Sequence, residues 1–147
     1  MEHTYLFRPG RWRAAGTYYD EGGRTWPLTG RVELVRTAEE WTLDGWLEVA
    51  ADAPVRFVNR YAIRETGDPT ALAWTSWNPV LGELEGRFEV VGDHILSYYR
   101  SPDGRYEGQE VLSIEDEDTY DNVGLALKDG ARLSAWTARL TAEQEGN

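Results

Sequence analysis

The sequence predicts an all-β fold, a single up-and-down antiparallel barrel of about ten strands. Nine turn signals cut the 147-residue chain into ten apolar-rich segments, and no connection is long enough to hold a crossover helix. Within most segments apolar and polar side chains alternate, the mark of a strand with one face in a core. A meander of this many strands hides its two edges best by closing on itself.

The turn signals are Glu21-Gly22-Gly23, Ala38-Glu39-Glu40, Asp52-Ala53-Pro54, Gly67-Asp68-Pro69, Asn78-Pro79, Gly92-Asp93, Pro102-Asp103-Gly104, Glu117-Asp118 and Asp129-Gly130. After the first of these, Leu28, Gly30, Val32 and Leu34 share an inner face. Trp41, Leu43, Gly45, Leu47 and Val49 follow, then Val55, Phe57, Asn59, Tyr61 and Ile63. The fifth segment is less one-sided: Leu72, Trp74, Ser76 and Asn78 oppose Ala73, Thr75 and Trp77, and both faces have the character of covered surface. Leu84, Gly86, Phe88 and Val90 stand against Glu83, Glu85, Arg87 and Glu89, the cleanest alternation in the chain. Ile95, Ser97 and Tyr99 come next, then Tyr106, Gly108, Glu110, Leu112 and Ile114. Glycines inside strands, among them Gly86, Gly108 and Gly124, suit the close contacts of a tightly curled sheet. The stretch from Ala131 to Glu145 reads two ways. Leu133, Trp136 and Leu140 make a helical stripe, while Ser134, Trp136, Ala138 and Leu140 make one side of a strand. The preceding Asp129-Gly130 hairpin dipeptide favours the strand. A polar tail from Thr141 to Asn147 is expected to be disordered.

The length suits one domain, residues 1–147. Hydrophobic residues make up 41% of the chain, with Trp 7 and Tyr 8, rings that favour strands and that fill a small barrel or line a cavity in it. Cysteine is absent, which removes disulfides and thiolate chemistry together. The net charge of −11 disfavours nucleic acid and anionic membrane as partners. The first residues, Met1 to Arg8, lack the basic region and long apolar run of a signal peptide, and no segment reaches a membrane-spanning length. A cytoplasmic location is the resulting expectation. No zinc spacing, phosphate loop or dinucleotide fingerprint is present.

The first segment opens on Gly10-Arg11-Trp12. A Gly-x-Trp at the start of a small meander barrel resembles the signature of the calycin superfamily, which holds lipocalins, fatty-acid-binding proteins and avidins. The resemblance implies that Trp12 closes one end of the barrel. It also implies that a basic residue from the last strand, here Arg139, lies across the Trp12 ring. The chain departs from lipocalins in lacking their second and third motifs. It departs from fatty-acid-binding proteins where Glu21-Gly22-Gly23 replaces a helical lid. Ten strands with a lidless first hairpin are more similar to nitrobindin, a haem-binding barrel with its ligating histidine in the last strand. Alignment of that strand puts Ala135 near the ligand position, so haem ligation of that kind is lost and no cofactor is expected.

Alternation points Glu110 inward, where a lone carboxylate must be paired or protonated. Asn59, Tyr61, Ser76, Ser97 and Tyr99 share that inner surface, with aromatic walls from Trp41, Phe57, Trp74, Phe88 and Tyr106. Convergent polar groups among aromatic walls describe a site for a small, largely apolar molecule. A glutamate there suits a cationic or hydroxyl-bearing ligand better than a fatty-acid carboxylate. An enzyme is the alternative, a lyase or isomerase in which Glu110 and Tyr99 or Tyr61 move a proton. A third reading is a barrel filled by its own side chains that works through its outer surface, as a homodimer. His94 reads as an exposed turn histidine. The acidic run Glu115-Asp116-Glu117-Asp118 lacks the features of an EF-hand loop and reads as a solvated hairpin tip, with no metal expected.

Overall fold

The computed structural model describes residues 2–78 and 82–143. Ten strands follow one another: β1 (Gly10–Tyr19), β2 (Thr25–Arg36), β3 (Trp41–Val49), β4 (Val55–Glu65), β5 (Ala71–Asn78), β6 (Gly82–Val91), β7 (His94–Arg100), β8 (Tyr106–Asp116), β9 (Thr119–Lys128) and β10 (Ala131–Ala142). Each pairs antiparallel with its sequence neighbours, and β1 pairs with β10, so the sheet closes into a barrel. Eight of the nine turn signals fall in the connections between strands; the fifth begins on Asn78 at the end of β5, and its Pro79 lies outside the described residues. At Asp129-Gly130 both residues take positive φ, 51° and 81°, as a two-residue hairpin turn of the primed type requires.

The segment read two ways is a strand over Ala131–Ala142. Thr141 and Ala142, expected to open a disordered tail, instead pair with Arg13 and Trp12 of β1, and residues 144–147 of that tail lie outside the described residues. In the fifth strand only one face is consistently covered: Ala73 is buried but Trp77 on the same side is exposed.

Large and small inner side chains alternate around the barrel. Trp74 pairs with Gly86, Tyr99 with Gly108 and Trp136 with Gly124. In each pair the ring lies over the glycine, and a Cβ there would come within 2.0–2.1 Å of ring carbons. The rings fill space that ten strands enclose, and the glycines let them lie against the wall.

One end of the barrel is plugged by residues 4–8. Tyr5 meets Trp12 edge-on at 5.4 Å, and Tyr120 meets both rings. Tyr120 donates its hydroxyl proton to Nδ1 of His3 (2.8 Å) and accepts from the Thr4 amide (3.1 Å). The Thr4 hydroxyl donates to the Glu117 carbonyl, which ties the plug to the β8–β9 hairpin. Leu6 is fully buried at φ 75°, a left-handed backbone that a branched side chain adopts only where packing enforces it, and its carbonyl accepts from Trp41 Nε1 (2.9 Å).

Trp12 is buried in this end against Tyr5 and Tyr120, but Arg139 does not cross it. Leu140 points inward, so Arg139 points out, where it pairs with Glu115 and Asp121. The cation–π contact at this end is Arg36 over Trp41, at 3.9 Å. Among the described residues there is no helix long and apolar enough to cross a membrane.

The plug generates a prediction about stability. Leu6→Ala keeps the strained backbone and removes the side chain that holds it, so a loss of about 2–5 kcal/mol is expected in denaturant unfolding. A loss below about 1 kcal/mol would mean that the plug opens independently of the barrel.

Candidate functional site

The opposite end is open, and from it a cavity of about 530 Å³ runs into the barrel. Its polar centre is built on one lateral row of inward residues: Phe88 of β6, Ser97 of β7, Glu110 of β8, Gly124 of β9, Trp136 of β10 and Tyr18 of β1. Glu110 sits between the two smallest members, Ser97 and Gly124, which leaves room for its carboxyl group.

Gly124 has a second effect. The indole of Trp136 lies across it and donates its N–H to Oδ1 of Asn122 at 2.9 Å. An indole can only donate, so this bond fixes the orientation of the Asn122 amide. Nδ2 of Asn122 then donates to Oε2 of Glu110 and to the Val111 carbonyl, both at 3.2 Å. One carboxyl oxygen is thereby held, and the other faces the cavity. By contact area Glu110 is only half-buried, but the surface it keeps is cavity wall and not bulk water.

Burial raises the pKa of Glu110 above its ordinary range, and the hydrogen bond from Asn122 opposes this with a smaller effect. Tyr5, Tyr61 and Tyr99 are raised too, first by burial and then by the charge Glu110 would carry. These phenols therefore stay protonated. The one cation in the lining, among the described residues, is Lys128 at the mouth, whose ammonium lies 5.7 Å from the Tyr106 ring. No arginine is turned inward there.

The sequence-derived site residues assemble with one exception. Asn59, Tyr61, Trp74, Ser76, Phe88, Ser97, Tyr99 and Glu110 line the interior, and Phe57 and Tyr106 lie towards the mouth, Phe57 40% exposed beside Tyr18. Trp41 is the exception: it belongs to the closed end, packed against Phe7 under Arg36. Tyr61 and Trp74 meet edge-on at 4.7 Å, and Tyr99 lies 6.1 Å from Trp74. No hydrogen bond joins Glu110 to Tyr61 or Tyr99. Sequence reasoning missed Asn122, Trp136, Tyr18 and Tyr5. Asn122 shares parity with Gly124, and an inward reading of β9 finds it; Tyr5 precedes any strand and carries no periodic signal.

His94 is exposed and bonds through Nδ1 to the Ser113 hydroxyl at 2.8 Å. The acidic run forms a hairpin tip tied to Arg139 and to Arg8, and no group of three potential ligands that could hold a metal occurs among the described residues.

Haem iron takes an axial histidine, cysteine, methionine or tyrosinate. The described lining offers no histidine, cysteine or methionine, and burial raises the pKa of Tyr5, Tyr61 and Tyr99. Ala135 itself is out of phase with the inward Ser134 and Trp136. The residues present do not fit haem held by a histidine, cysteine or methionine.

Among solved structures 8 chains match this one. Rv2717c from M. tuberculosis aligns over 92% of each chain with a TM-score of 0.61 and 15% identity, a likeness that shows the fold alone. A candidate AttH from Nitrosomonas europaea matches at TM-score 0.33 and 10% identity, over 92% of this chain and 50% of that one. An N-terminal dehydratase from a difficidin assembly line matches at 0.29 and 9%, over 96% and 80%. At those scores neither carries an argument. No family model and no curated protein matches the chain.

The raised pKa fixes a sign. The folded state holds the Glu110 proton more tightly than the unfolded chain, whose carboxyl titrates near 4.5. Stability is therefore lost as pH rises from about 4.5 through the folded value, and the full penalty applies above it. Glu110→Gln, which mimics the protonated form, should raise Tm at pH 8, with the gain vanishing below pH 4. A gain that does not change with pH would show that ionising Glu110 costs the fold nothing.

Proposed function

We propose that this protein binds a small, largely apolar molecule inside the barrel, with Glu110 orienting its one polar end. The observation that carries the reading is the cavity itself: its volume of about 530 Å³ lies within the range of small-molecule sites, its walls are mostly apolar, and it opens at one end. The hydroxyls of Ser76, Ser97, Tyr61 and Tyr99 make no hydrogen bond to another described residue, so they are available to an occupant or to water. A protonated Glu110 donates to a hydroxyl or carbonyl oxygen; an ionised one pairs with a cation. A carboxylate head group meets neither condition well, since no cation lies near Glu110 to offset its burial. The distant kinship suggested by Gly10-Arg11-Trp12, with calycin barrels and nitrobindin-like ones in particular, fits the same reading.

A carboxyl group whose pKa is raised by burial, set among phenols, also supports the enzyme alternative, in which Glu110 passes a proton to or from the substrate with Tyr61 or Tyr99 nearby. Glu110→Gln separates the two: an enzyme loses turnover while keeping affinity, and a binding protein shows no turnover to lose. The filled-barrel reading sits poorly with a cavity of this size.

The first test is native mass spectrometry of the purified protein against the denatured sample, with an absorption spectrum alongside. A retained molecule of a few hundred daltons is expected, without a Soret band. As a second arm, an environment-sensitive apolar dye should bind one per chain, and Ala126→Phe, which fills part of the cavity, should weaken it about tenfold or more. Dye affinity unchanged by that substitution would place binding outside the barrel.

A further inference from the structure

We infer, resting on the binding reading above, that the occupant is an organic cation whose alkylammonium head docks between Glu110 and the rings of Tyr61, Tyr99 and Trp136. Beside the main cavity lies a side pocket of about 70 Å³, and these four residues line it with Trp74 and Ser97. That volume suits one compact head group, while the main cavity of about 530 Å³ takes an apolar tail.

The walls of the side pocket are largely aromatic. The Trp74 ring stands at 72° to Tyr61 and at 62° to Tyr99, so the rings form the sides of a box and not a stack. Trp136 lies flat on Gly124: a Cβ there would stand 2.0 Å from two indole carbons and 2.6 Å from Nε1. One face of the indole rests on the glycine, and the other turns to the interior. Ring faces are the negative side of an aromatic quadrupole; they attract a cation and do little for a hydroxyl or a carbonyl.

Charge points the same way. Glu110 accepts one hydrogen bond, from Asn122, and has no cation beside it among the described residues. Lys128 stands four residues along β9 from Gly124, the lateral neighbour of Glu110, which is roughly 13 Å of strand. Its ammonium lies by Tyr106 at the mouth. A buried carboxylate without a partner is costly, and a bound ammonium supplies the partner. A neutral head would satisfy Glu110 only while it keeps its proton, and a carboxylate head would be repelled. Approach is favoured as well. The turns at the open end carry Asp20, Glu21, Asp52, Asp103 and Asp129 against Arg24, Arg105 and the adjacent Lys128, on a chain of net charge −11.

Isothermal titration calorimetry with four probes of one chain length tests this: octylammonium, octyltrimethylammonium, octan-1-ol and octanoate. At pH 8 the better of the two cations should bind at least about tenfold more tightly than the alcohol, and octanoate more weakly than either. In Glu110→Gln that preference should vanish while the alcohol still binds. Tyr99→Leu should cut the ratio of cation to alcohol affinity about fivefold, and Tyr99→Phe should leave it unchanged. Burial raises the Glu110 pKa, so cation affinity should fall as the pH drops through its range, where the head must displace a proton. The titratable groups facing Glu110 are the phenols of Tyr5, Tyr61 and Tyr99, which burial moves upward and away from that range. An alcohol that binds as tightly as the cations, or a preference that Glu110→Gln leaves intact, would overturn the inference and leave the binding reading standing. So would a cation-to-alcohol ratio that ignores Tyr99→Leu, or a barrel that takes the apolar dye and none of the four probes. Failure of the probes and the dye together would remove both readings.

Discussion

The pairing of the first strand with the last is the constraint on which the rest of the molecule depends. Trp12 to Tyr19 run antiparallel to Ala135 to Ala142, and this single ladder removes both edges of the sheet at once. It also sets the register of everything inside. With β1 fixed against β10, Tyr18 meets Trp136, Gly16 meets Ala138 and Ala14 meets Leu140. A Cβ at Gly16 would come 1.9 Å from the Thr137 carbonyl oxygen, so the two strands approach this closely only because one of them lacks a side chain there.

Closure leaves the interior with a packing problem that the chain solves differently at the two ends. Near the N-terminal segment Tyr5, Leu6, Trp12 and Tyr120 fill the space with rings and one buried leucine. Further along, Trp74, Tyr99 and Trp136 each lie over a glycine of an adjacent strand, so aromatic mass coats the wall and the middle stays open. Glu110 belongs to that second arrangement. It stands beside a glycine, and the ring covering the glycine reaches through Asn122 to hold the carboxyl group. A residue that would be a liability in a filled core is thus given one hydrogen bond and a free side.

The fold was legible because it rests on local signals. Asp129-Gly130, Gly92-Asp93 and the alternation from Leu84 to Val90 each report their own structure without reference to distant residues. The inner face of β8 was legible for the same reason, so the position of Glu110 followed from parity alone. What depends on neighbours three strands or a hundred residues away was not legible. Arg139 has the right type and place for a contact with Trp12, yet parity with Leu140 turns it outward; that parity was available in the sequence and was outweighed by the family pattern. Trp41 sits in phase with Leu43 and Leu47, and nothing in the strand says that a tight turn at Leu6 will take its indole proton.

The plug formed by residues 4–8 has a consequence for traffic. A tube stopped at one end has a single doorway, so whatever goes in first must come out last. A guest whose polar end docks at Glu110 leads with that end, strips it of water at the threshold past Tyr106 and Lys128, and travels along apolar wall before any new hydrogen bond forms. On the proposed reading, that dry passage would slow its arrival and, in reverse, its departure. A barrel with one entrance would then discriminate among guests by how readily their heads shed water, as a kinetic filter.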